Sequence, residues 1–93
     1  MRNEELIKKN YRSSTYANAD KLNGLAESLI DLTRLLKITA DCAQRSCLKH
    51  VIENLIRIIE DELVSYDSSD ENAFTASIRC RRAIKEYENY KEN

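Results

Sequence analysis

Between Leu22 and Tyr66 the large apolar residues recur at the three- and four-residue spacing of a helix face, and no proline interrupts the chain anywhere along its 93 residues. Together these features leave little besides α-helix. A single glycine gives a phosphate-cradling loop or a many-turned β fold almost nothing to build on. With 42% apolar residues and a formal charge of −1, the chain reads as one globular helical domain rather than a disordered one.

Three segments carry the pattern. In residues 18–43, Leu22, Leu25, Ala26, Leu29, Leu32, Leu36, Ala40 and Ala43 share a stripe roughly 120° wide. In residues 47–66, Leu48, Val51, Ile52, Leu55, Ile56, Ile58, Ile59, Leu63 and Tyr66 span about 160°, a width that predicts burial against more than one neighbour and a place at the centre of the fold. The two stripes are out of phase, and the jump is opposite in sense to the drift of a sustained heptad seam. A break near 39–46 follows, with Thr39, Asp41 or Ser46 as the new N-cap. The expectation is a helical hairpin over 18–66, with one continuous rod as the alternative. After the acidic loop 67–72, where Ser68 and Glu71 have capping-box spacing, Ala73, Ala76, Cys80, Ala83, Ile84 and Tyr87 line one face of a last helix over about 70–90. Residues 3–16, capped by Asn3 and ended by Ser13-Ser14-Thr15, form a short helix or arm.

The chemistry-bearing residues are few. Cys42, Cys47, His50 and Cys80 add up to a zinc-like set. No Cys-x-x-Cys is present, however, and the cysteines fall within helical patterns, so they read as small apolar residues and no metal is expected. One histidine and no Gly-x-Ser-x-Gly elbow leave nucleophilic catalysis without parts. A calcium loop beginning at Asp67 fails where it needs Gly and Glu, because those positions hold Asn72 and Ile78. The chain therefore reads as non-enzymatic and free of cofactors. The N-terminus has no apolar signal-peptide core and no run is long enough for a membrane span, so a reduced cytoplasmic setting without membrane partners is expected.

Two surfaces remain. Leu35, Ile38 and Cys42 lie opposite the main stripe of the first long helix, and Phe74 and Ile78 lie off the core face of the last. Either the N-terminal segment covers them with Leu6, Ile7 and Tyr11, or they form a partner or dimer interface. Tyr87 and Tyr90 suit an interface as well, each with an apolar ring and a polar tip. Arg79, Arg81, Arg82 and Lys85, with a second basic stretch at Lys8, Lys9 and Arg12, could hold nucleic-acid phosphates, although a pI near 5.8 is far from a basic footprint. The expected fold is all-α, a self-associating three- or four-helix bundle built on the hairpin. The expected role is a small protein-binding module: a regulator, an inhibitor or immunity protein, or a chaperone-like adaptor of bacterial or phage type, acting on a protein partner or a second copy. The alternative is a nucleic-acid-binding regulator working through the basic last helix.

Overall fold

The computed structural model describes the backbone of residues 2–92 and the side chains of residues 18–91. It holds three helices, α1 (Arg2–Ile38), α2 (Cys42–Ser65) and α3 (Glu71–Glu92). The fold is all-α, with α2 and α3 both packed against α1.

α1 is continuous from Arg2, which corrects the separate N-terminal helix. Ser13, Ser14 and Thr15 each cost a helix only a few tenths of a kcal/mol, and without Gly or Pro beside them they do not stop propagation. Asn3 falls inside α1, and its side chain lies outside the described residues. The side chains of Leu6, Ile7, Tyr11, Lys8, Lys9 and Arg12 lie outside the described residues.

The break falls within the expected window. α1 stops at Ile38, where the Thr39 hydroxyl donates to the Leu35 carbonyl at 2.6 Å. Asp41 then caps α2 through its carboxylate, which accepts from the Gln44 N–H at 2.9 Å. Arg45 closes the corner by donating to the carbonyls of Leu36 (2.7 Å) and Thr39 (2.9 Å), a cation on the negative end of α1. Because the helix ends here, Ala40 and Ala43 are exposed instead of extending the core stripe.

The second turn is built on aspartates. Asp67 accepts from the N–H and hydroxyl of Ser69 at 3.0 and 2.6 Å, and those bonds hold its carboxyl below the usual carboxylate range. Asp70, not Ser68, caps α3: its carboxylate accepts from the Asn72 N–H at 3.0 Å and its carbonyl from the Phe74 N–H at 2.9 Å.

The core runs along one side of α1. Leu22, Ala26, Leu29 and Leu36 meet Ile52, Ile56 and Ile59 of α2, and Ala76, Cys80, Ala83 and Tyr87 of α3. Small residues on α3 bring it close to α1; Cys80 Sγ lies 3.1 Å from the Leu22 carbonyl oxygen. α1, not α2, is therefore the centre of the fold, and α2 and α3 barely touch each other. The two buried hydroxyls of Thr33 and Ser77 find acceptors within their own helices. Thr33 donates to the Leu29 carbonyl at 2.8 Å and Ser77 to the Phe74 carbonyl at 2.6 Å. Ion pairs Lys21–Glu62, Lys37–Glu86 and Lys91–Glu53 tie the helices along their exposed edges.

Candidate functional site: the outer face of α1 and α2

Leu35 is 44% exposed and Ile38 80% exposed, and Cys42 is exposed too. The N-terminal segment does not cover them. In a continuous helix the Leu6–Tyr11 stretch runs away along the axis, and Tyr11 stands about 36 Å from the level of Leu35 at 1.5 Å per residue. The intramolecular cover considered from the sequence is thus absent.

The break at 39–41 rearranges this patch. Cys42 belongs to the first turn of α2, so its spacing from Leu35 and Ile38 no longer places it on their face. What joins Leu35 is a set of α2 residues that the periodicity had assigned to the core or left aside. Leu35, Thr39, Ala43, Gln44, Cys47 and Leu48 line an open groove of about 430 Å³ between the two helices. Along α2 the apolar surface continues through Val51, 49% exposed, to Ile58, 50% exposed. The sequence carried a usable sign of this. A stripe about 160° wide is more than one close neighbour can cover, and α2 has one, since it packs on α1 and hardly on α3. One edge of the stripe is buried (Ile52, Ile56, Ile59) and the other is left in water.

Phe74 and Ile78 do not belong to that surface. α3 runs in the same sense as α1, with Cys80 level with Leu22 and Glu86 paired to Lys37. Phe74, exposed, and Ile78, half-buried, therefore sit toward the opposite end of the molecule from Leu35. Tyr87 is no interface residue either. It is fully buried, and its hydroxyl is without a hydrogen-bond partner. Burial, then the nearby Glu53 carboxylate, push that phenol above its ordinary pKa. Tyr90 is half-buried and packs on the core, with the Lys37 ammonium 5.6 Å from its ring centre.

The basic cluster is divided as well. Arg79 turns toward α1, donating to the Asn23 side chain at 2.9 Å and lying 3.7 Å from the Glu27 carboxylate. Arg81, Arg82 and Lys85 are exposed. Arg81 and Lys85 share a second groove, of about 470 Å³, with Glu60, Leu63, Ile84 and Glu88. Acidic and basic groups alternate there, so the groove offers a phosphate chain no continuous positive track.

Of the cysteines, Cys42 and Cys47 are exposed and Cys80 is buried. Burial raises the Cys80 thiol above its ordinary pKa against the opposing pull of Arg79 and Arg81. Among the described residues no three His, Cys, Asp or Glu side chains gather at metal-binding distance, and no helix is long and apolar enough to cross a membrane. Neither a family model, nor a curated protein, nor a solved structure matches the chain.

Proposed function

We propose that this chain is a small non-enzymatic protein-binding module whose working surface is the outer face of the α1–α2 pair. The observation that supports this is the row of half-exposed aliphatic residues, Leu35, Val51 and Ile58, beside the groove at Cys47 and Leu48. Scattered exposed leucines are ordinary, but an apolar strip shared by two helices and bordered by polar side chains is characteristic of a surface that meets another polypeptide. The chain's regulatory, inhibitory or adaptor role would follow from what it holds there.

The test is photo-cross-linking in the native cell. A benzophenone side chain at position 35 or 51 should give adducts with a polypeptide, identified by mass spectrometry. The same group at Asn89, exposed on α3, should not. The position 51 adduct should also disappear when Ile58→Asp is introduced. Equal adducts at all three positions, or none at 35 and 51, overturn the reading.

A further inference from the structure

We infer that the occupant of this face is a second copy of the chain, seated antiparallel along α2; the inference rests on the protein-binding reading above and names its partner. The outward residues of α2 follow a coiled-coil spacing. Gln44, Cys47, Val51, Asn54, Ile58 and Asp61 are separated by three, four, three, four and three residues, and every one of them is exposed. That alternation keeps one seam facing a neighbouring helix, and it is distinct from the buried edge at Ile52, Ile56 and Ile59.

The seam is also close to self-complementary. About a two-fold axis midway between Val51 and Asn54, Cys47 meets Ile58 of the partner subunit and Val51 meets Asn54 of the partner subunit. At the two ends Gln44 meets Asp61 of the partner subunit, so polar residues close off the apolar stretch on both sides. On the flank nearest α1, Leu48 meets Leu55 of the partner subunit, and both leucines are half-buried already. The other flank places His50 beside Arg57 of the partner subunit, a pair that adds no attraction. Parallel pairing loses the leucine contact, because it sets Leu55 beside His50 of the partner subunit. Asn54 is the one polar residue inside the seam, and because it faces Val51 of the partner subunit its amide finds no partner there and costs affinity.

Sedimentation equilibrium of the full chain under reducing conditions, across the micromolar range, tests this. Wild type should sediment at twice the chain mass. Val51→Asp with Ile58→Asp should weaken dimerisation roughly a hundredfold or more by placing charge in the seam, with helical circular dichroism retained. Asn54→Leu guards against a variant that merely unfolds: it should tighten the dimer about tenfold. Oxidation of a Cys42→Ser variant reads the orientation, since antiparallel pairing keeps the two Cys47 thiols apart and a rapid disulfide dimer overturns it. A wild-type monomer throughout, or an unweakened double-aspartate variant, overturns the second-copy inference. If position 51 then still cross-links to a different polypeptide, the binding-module reading survives without it.

Discussion

The Arg45 guanidinium donates to the Tyr90 hydroxyl at 2.9 Å, so the start of α2 and the end of α3 are joined through one side chain. The same guanidinium covers the Leu36 and Thr39 carbonyls at the end of α1, which makes it the point where all three helices meet. Arg45→Ala should therefore cost about 2 kcal/mol, since it removes charged hydrogen bonds and leaves the acceptors to water. Tyr90→Phe should cost about 1 kcal/mol. Arg45→Lys should recover less than half of the loss, because an ammonium cannot reach the three acceptors that a planar fork spans. Urea midpoints of the two single variants and the double variant give the coupling directly. Additive single effects would show that the Arg45–Tyr90 bond carries no energy.

Tyr87 presents the opposite case, a buried hydroxyl without a partner. Tyr87→Phe removes a desolvated polar atom and keeps the ring, so stability at neutral pH should be unchanged or rise by up to about 1 kcal/mol. The alkaline limb supplies the sign. The folded-state pKa lies above the unfolded value near 10. Between the two, the folded chain holds a proton that the unfolded chain has released. Wild-type stability should be whole below pH 10 and decline as pH rises through the folded value, and Tyr87→Phe should flatten that decline. Thermal melts of both proteins on either side of pH 10 decide it; parallel curves would mean the phenol is solvated.

Legibility from sequence followed the distance over which each property is determined. The three long apolar periodicities, the phase jump before Asp41 and the acidic turn at 67–72 are local, and the helices and turns they imply are present. Misreadings arose where the answer depended on a neighbour. Ser68 and Glu71 have the spacing of a cap, but Asp70 is nearer the first turn and wins it. Tyr87 shares a face with Cys80 and Ala83, yet whether its polar tip reached water depended on how closely α3 lies on α1. Val51 and Ile58 sat within a correctly recognised stripe. Which edge of that stripe is covered depends on α2 packing on α1 and only sparsely on α3, a relation that no window of the sequence encodes. Leu35, Ile38 and Cys42 are all exposed, but the spacing that unites them belongs to a helix that ends before Cys42.

The three thiols should separate by reactivity. Cys42 and Cys47 are exposed, while Cys80 is buried against the Leu22 carbonyl with its thiol pKa raised by burial. The thiolate is the reactive form, so both burial and the raised pKa slow Cys80. A maleimide added to the folded protein at neutral pH should label Cys42 and Cys47 quickly, and Cys80 only at the rate of opening. Denaturant should equalise them. Peptide mass spectrometry over time checks this, and early labelling of Cys80 would mean that α3 does not stay seated on α1.

Gly24 lies on the exposed side of α1, in the interior of the helix. A Cβ built there meets nothing within 4 Å, and its φ is in the ordinary negative range. Glycine at such a position loses more backbone entropy on folding than alanine and gains no packing in return. Gly24→Ala should therefore stabilise by about 0.5–1 kcal/mol, raising Tm by roughly 2–8 °C in a chain of this size. Gly24→Val should recover less, because β-branching restricts χ1 in a helix. Since position 24 is far from the Val51 seam, the gain should appear equally in the variant carrying Val51→Asp and Ile58→Asp. A lowered Tm for Gly24→Ala would show that this outer surface of α1 is covered by something a methyl group displaces.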